Sequence, residues 1–166
     1  MRQSAVIRSL SAISSNEELR AAVAPKPKDG LSMGTWSTHA FGNDEAADFA
    51  IELSESRDLK LIELASENVI AAEEYLEAPE ADRGIAAAAA LALVNGQQIP
   101  GDPDEAITTW LHSQPAEPSA SLLTKAQAAI DRVLADNSQL AELWAESDEY
   151  EAWRDGLLSL QESLGR

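Results

Sequence analysis

The sequence contains no cysteine. This absence excludes a disulfide framework, a thiolate metal site and a cysteine nucleophile, and it favours a protein of the cytoplasm. Long apolar runs are also missing, because the longest covers only ten residues, from Ile85 to Val94. A membrane-spanning helix needs roughly 20 apolar residues, so we expect no membrane association. Residues 1–15 lack the apolar region of a secretory signal peptide.

Basic side chains are scarce. The chain has 12 lysines and arginines against 29 acidic residues, for a net charge of −17. Residues 1–32 carry +2, which leaves −19 for residues 33–166. Such an acidic domain repels nucleic-acid phosphate and attracts basic proteins. The charge therefore predicts a basic protein partner and no direct nucleic-acid binding, although a high charge also keeps a small protein soluble and monomeric.

The change of charge coincides with a candidate domain boundary. Residues 25–32, PKPKDGLS, combine two prolines and a glycine with alternating charge, which is typical of a linker. The residues before this linker have the apolar spacing of short helices. We predict that residues 1–32 are an appended extension and that residues 33–166, beginning at Met33, form one acidic domain.

Strand patterns are missing from residues 33–166, where apolar residues recur instead at steps of three and four. This spacing predicts an all-α fold, a compact bundle of about six to seven helices with an irregular N-terminal lead-in. We expect the second helix over residues 56–78, and the third from Pro79 to a C-terminal cap at Gly96. The third helix is apolar nearly all round, which predicts a central position. Ser138 and Ser147 are expected to cap the last two helices.

Aromatic residues are few, at 5% of the chain. Trp36 and Phe41 fall within the stretch MGTWSTHAFGNDEAADF, residues 33–49. We predict that both anchor the lead-in on the bundle, and that Asn43 or Asp44 caps the first helix. The other tryptophans have helical spacing and are expected to be structural anchors in the core: Trp110, Trp144 and Trp153.

Sequence motifs of phosphate binding and of zinc hydrolases are absent, since GxxxxGK[ST], GxGxxG and HExxH do not occur. His39, Asp44 and Asp48 could offer an imidazole and two carboxylates to a metal ion. No second histidine follows at ligand spacing, so we predict no catalytic residue, no metal and no cofactor. A metal-dependent enzyme built on these three residues is the least favoured alternative.

Carboxylates are the preferred candidates for binding a partner. Two groups stand out, one along the first helix and one in the predicted second helix: Asp44, Asp48, Glu52 and Glu55, then Glu73, Glu74 and Glu77. A solvated surface is the simplest interpretation of both groups, and a surface for a basic partner is the functional one. The favoured hypothesis is a non-catalytic protein-binding module, similar to an inhibitor or immunity protein. The alternative is a self-associating bundle that exposes its alanine-rich helix or the apolar stripe of residues 150–164, and the sequence leaves the oligomeric state open.

The stretch at residues 33–49 resembles the start of a family of bacterial proteins, domain of unknown function 4259, which typically reads Met-Gly-x-Trp-Gly-x-x-x-Phe-x-Asn-Asp-x-Ala-x-Asp. The matching residues are Met33, Gly34, Trp36, Phe41, Asn43, Asp44, Ala46 or Ala47, and Asp48. Similar stretches follow as far as residue 166. The chain departs from the pattern at Ser37, where glycine is usual, and at His39, where a small residue is common. The resemblance implies a helical architecture and a bacterial source, implies no particular activity, and makes a catalytic His39 less expected.

Overall fold

The computed structural model describes residues 40–99, 103, 105–113 and 117–165. These ranges contain seven α-helices and no strand. The helices are α1 (Asp44–Ser54), α2 (Lys60–Ala71), α3 (Ala78–Val94), α4 (Glu105–His112), α5 (Ala120–Val133), α6 (Gln139–Ala145) and α7 (Tyr150–Leu164). The prediction of an all-α bundle is confirmed. The predicted extension, residues 1–32, and the predicted anchor Trp36 lie outside the described residues.

Helix α3 lies at the centre of the bundle and contacts each of the other six helices. Its sequence explains this position, because the run from Ala86 to Ala90 is fully buried and presents only methyl groups to its neighbours. Small side chains let helix axes approach closely on several sides at once. Larger apolar residues of the surrounding helices then fill the space around α3, among them Phe49, Ile62, Val69 and Ile130.

Helix α2 approaches α3 closely at Gly84. A Cβ atom added to Gly84 would lie 2.5 Å from Cγ2 of Val69, well inside van der Waals contact. Glycine at this position therefore sets the spacing of α2 and α3.

Replacing Gly84 by alanine should lower the free energy of unfolding by about 1–3 kcal/mol, because the added methyl group meets the stiff, branched side chain of Val69. Urea unfolding followed by circular dichroism measures this change. In a Val69→Ala background the same substitution should cost much less, since the obstructing methyl group is gone. Equal costs in the two backgrounds would show that this contact does not set the helix spacing.

Local capping signals determine several helix ends. Of the two candidates for the cap of α1, the structure uses Asn43, whose Oδ1 accepts a hydrogen bond from the Ala46 N–H at 2.8 Å. Ser138 caps α6 by accepting from the Ala141 N–H. Gly96 follows the end of α3 with φ of +84°, a left-handed conformation that favours glycine. These ends agree with the sequence-based expectations.

Two predicted boundaries are wrong. Helix α7 begins at Tyr150 and has Glu149 at its N-cap, while Ser147 lies two residues earlier and accepts from the Glu149 N–H. The second helix, expected over residues 56–78, extends only from Lys60 to Ala71. Residues 72–77 are instead an irregular, partly extended segment, which joins another part of the chain through one isolated parallel bridge, Leu76 to Ser138.

The tryptophans that the structure describes are all buried, since Trp110, Trp144 and Trp153 are each at most 3% exposed. Trp144 of α6 stacks on Trp153 of α7 with ring centroids 5.8 Å apart and planes only 10° from parallel. This pair joins the two C-terminal helices. Phe41 is partly buried and packs against the core. Of the helices described here, none combines the length and the apolar character that crossing a membrane requires.

Candidate functional site

The segment of residues 72–77 carries the second predicted acidic group, and its backbone is fixed by hydrogen bonds to residues 137–139. The Leu76 N–H donates to the Asn137 carbonyl at 3.0 Å, and the Gln139 N–H donates to the Leu76 carbonyl at 2.8 Å. The Ala78 N–H donates to Oε1 of Gln139. The Leu76 side chain is fully buried beneath the segment. These contacts hold the chain in an extended form where sequence periodicity predicted helix.

Two side chains from the opposite segment complete this support. Arg132 donates from Nε to the Ala72 carbonyl at 2.7 Å, and its other guanidinium nitrogens bind Asn137. Asn137 donates from Nδ2 to the carbonyls of Glu73 and Glu74, at 3.0 and 2.7 Å. Because Arg132 is engaged with backbone and amide oxygens, its charge is not used to neutralise a carboxylate by direct contact.

The side chains on this support point outward. Glu73, Glu74, Tyr75 and Glu77 are all exposed, and we call these four residues the Tyr75 surface. The three carboxylates form no hydrogen bond or ion pair with any residue that the structure describes. The Tyr75 ring is 44% exposed, while its hydroxyl group donates to Oε1 of Glu142 at 3.0 Å. Desolvation and this hydrogen bond to a carboxylate raise the pKa of Tyr75 above its ordinary value. The result is a fixed aromatic ring among unneutralised negative charges.

The other predicted group, which we call the α1 row, consists of Asp44, Asp48, Glu52 and Glu55. All four side chains are exposed along one face of α1. Glu52 is neutralised within the fold, since Nη2 of Arg83 on α3 forms an ion pair with it. The Arg83 guanidinium also lies 3.9 Å from a Glu45 oxygen and 5.2 Å from the ring centre of Phe49. The α1 row is therefore partly committed to holding α1 against α3.

An open groove of about 490 Å³ lies where the end of α1 meets the start of α2. Its lining includes Glu52 and Glu55 of the α1 row together with Leu61 and the exposed Leu64. Every residue that lines this groove is exposed or half-buried. The groove is thus a shallow feature of the surface and not an enclosed binding cavity.

Helix α3 contains a buried carboxyl group, Asp82. The residue is only 5% exposed, and no described residue gives it a hydrogen bond or ion pair. Burial, and to a lesser extent the charge of Glu45, raise the pKa of Asp82 to about 8. Its neighbour Arg83 does not compensate this group, because the guanidinium contacts Glu45 and Glu52 instead. Asp82 is therefore largely protonated at neutral pH.

Acids on α2 are neutralised by a different cation. Lys125 of α5 lies 2.6 Å from a Glu67 oxygen and 3.0 Å from a Glu63 oxygen. The hydrogen bonds to Glu67 and Glu63 raise the pKa of Lys125. Basic side chains thus cover parts of α1 and α2, whereas the Tyr75 surface keeps its charge.

The metal-enzyme alternative gains no support from the described residues. Asp44 and Asp48 are exposed one helical turn apart, and His39 lies outside the described residues. Within the part of the chain that the structure describes, no three histidine, aspartate or glutamate side chains are grouped to hold a metal ion.

The two apolar faces considered for self-association are already used by the core. The alanines of α3 are buried, and the stripe of α7 is buried at Trp153, Leu157, Leu160 and Leu164. Neither face is available to a second copy of the chain in this fold.

Several residues of this region were not identified from sequence. The sequence predicts a helix across Tyr75, and nothing local marks Arg132 or Asn137 as its support, because both act across about 60 residues of chain. Asp82 likewise has no clear local signal, since Glu80 and Arg83 lie beside it in the same helix and aspartate is rarely buried.

Together, the fold and this surface define a small all-α domain that presents acidic side chains on a rigid helical scaffold. Residues 34–156 match the family model described as domain of unknown function (DUF4259), and the chain belongs to this family. No curated protein and no solved structure matches the chain.

Proposed function

We propose that this domain is a non-catalytic protein-binding module that binds a basic protein, as an inhibitor or an immunity protein does. The observation that carries the proposal is the Tyr75 surface, where three carboxylates without a partner surround an exposed tyrosine on a fixed backbone. Tyrosine is enriched among the residues that dominate protein interfaces. Free carboxylates around it favour a partner with complementary lysine and arginine side chains.

The net charge of −17 supports the same partner class, because a strong negative field accelerates encounter with a basic protein. The Tyr75 surface is a better candidate than the α1 row, since Arg83 already neutralises Glu52 there. A fixed surface also loses little conformational entropy on binding. Binding should therefore be fast and sensitive to salt.

The proposal is tested by capture with the immobilised full-length protein from an extract of the cells that produce it, with mass spectrometry of the eluate at low and moderate salt. We expect retention of a basic protein that moderate salt releases. A triple charge reversal, Glu73→Lys with Glu74→Lys and Glu77→Lys, should weaken retention about tenfold or more at low salt.

The matched control reverses three exposed glutamates elsewhere, Glu105, Glu117 and Glu146, to lysine. It has the same net charge as the test variant, so it should retain the partner better if the Tyr75 surface is the binding site. Equal loss in both variants would assign binding to net charge alone. The absence of any retained basic protein would contradict the proposed function.

A further inference from the structure

Resting on this proposed function, we infer that the partner binds the Tyr75 surface with an extended basic segment that pairs, strand against strand, with the backbone of Tyr75 and Glu77. The inference depends on backbone groups, whereas the proposed function depends on side-chain charge. The two can therefore fail separately.

The free edge of residues 75–77 is the first observation. In an extended chain, the N–H and C=O groups of successive residues point to opposite sides. Both groups of Leu76 point to residues 137–139, where they are hydrogen-bonded. The N–H and C=O of Tyr75 and the N–H of Glu77 consequently point away from residues 137–139. These three groups form no hydrogen bond with any described residue. An unpaired edge of this kind is what an added strand binds.

The edge is also held in the conformation that pairing needs. Glu77 has φ of −82° and ψ of 153°, which is extended backbone. The hydrogen bonds from Arg132 and Asn137 fix the chain on the N-terminal side of the edge, and Gln139 fixes it on the C-terminal side. A partner strand would therefore bind a short segment that is already ordered, so that binding carries no entropy cost for ordering this segment.

The side chains indicate the chemistry of the partner strand. Because side chains alternate along an extended chain and Leu76 is buried, Tyr75 and Glu77 lie on the opposite, exposed face. A strand with arginine or lysine at alternate positions places its cations on that same face. They would meet the free carboxylates as cross-strand pairs, and the Tyr75 ring offers a cation–π contact. A helical partner would leave the free backbone groups unused.

The test uses the full-length protein and a short synthetic peptide with arginine and threonine at alternating positions. Binding is measured by calorimetry at low salt, with the fully N-methylated peptide as the control that keeps the charge and loses the backbone donors. We expect the N-methylated peptide to bind at least tenfold more weakly. Amide hydrogen exchange at Tyr75 and Glu77, measured by NMR, should slow at least tenfold when the unmodified peptide is bound.

A pair of variants isolates the backbone group. Glu77→Gln removes only the charge, whereas Glu77→Pro removes the charge and the N–H at a φ that proline accepts. The proline variant should bind the peptide about three- to tenfold more weakly than the glutamine variant, the range that one hydrogen bond contributes. Thermal unfolding of both variants verifies that they remain folded.

Equal binding by the two variants and by the two peptides, with unchanged exchange at Tyr75 and Glu77, would overturn the inference. The proposed function would still stand if the cell extract yields a basic protein that the triple charge reversal releases. Absence of peptide binding alongside such a protein would likewise overturn strand pairing alone. Absence of any salt-sensitive basic partner would instead contradict the function itself.

Discussion

Replacing Asp82 by asparagine should remove a large part of the pH dependence of stability. The pKa of Asp82 is about 8 in the folded protein, against 3.8 for an ordinary aspartate. Between these values the folded state binds more protons than the unfolded state, so the wild-type protein loses stability as the pH rises. From pH 5.5 to pH 8.5 this one group should lower the free energy of unfolding by about 3 kcal/mol. Asparagine does not ionise, so the variant should not show this loss of stability.

The measurement is urea unfolding of both proteins at pH 5.5, 7.0 and 8.5. The quantity to compare is the change in the free energy of unfolding with pH, because a buried amide without a partner lowers the stability of the variant at every pH. Other carboxylates contribute equally to both curves, so their effects cancel in the difference. If the difference in the free energy of unfolding between the wild-type protein and the asparagine variant stays constant over this pH range, Asp82 ionises normally in the fold.

Replacing Trp144 by alanine should lower the free energy of unfolding by about 3–5 kcal/mol. The indole is 2% exposed and stacks on Trp153, so its removal leaves a large cavity between α6 and α7. Helix α6 has only seven residues and is too short to persist without tertiary contacts. Native proteins are stable by about 5–15 kcal/mol, so this loss is a large part of the total.

Thermal and urea unfolding measure the effect, and Trp144→Phe is the matched control because it keeps an aromatic ring against Trp153. The phenylalanine variant should lose clearly less stability than the alanine variant. An alanine variant that loses under 1 kcal/mol would mean that the stacked pair contributes little to holding the two helices together.

Helix positions in this protein could be predicted where the signal is local. Asn43 and Ser138 accept hydrogen bonds from backbone amides three residues away, and Gly96 adopts a conformation that other residues avoid. A few neighbouring residues therefore determine each of these helix ends. The central position of α3 was predictable from its apolar, alanine-rich composition. These features depend on spacing and side-chain size alone.

The candidate site was less predictable because its geometry depends on distant residues. Nothing near residue 72 breaks a helix, and the periodicity there even extends to Leu76. The break results from hydrogen bonds made by Arg132 and Asn137, which only the tertiary fold brings close. The environment of Asp82 was unpredictable for the same reason, because it depends on which carboxylates Arg83 contacts in the tertiary fold.

The hydrogen bonds that hold the Tyr75 surface bind backbone carbonyls of residues 72–74 and leave the glutamate side chains free. The shape of this surface is thus independent of the side chains that it displays. Substitutions at Glu73, Glu74 and Glu77 should consequently be nearly neutral for folding, whereas Arg132 and Asn137 have little freedom to change. Under the proposed function, such an arrangement would let members of the family change the side chains that contact a partner while the scaffold stays the same.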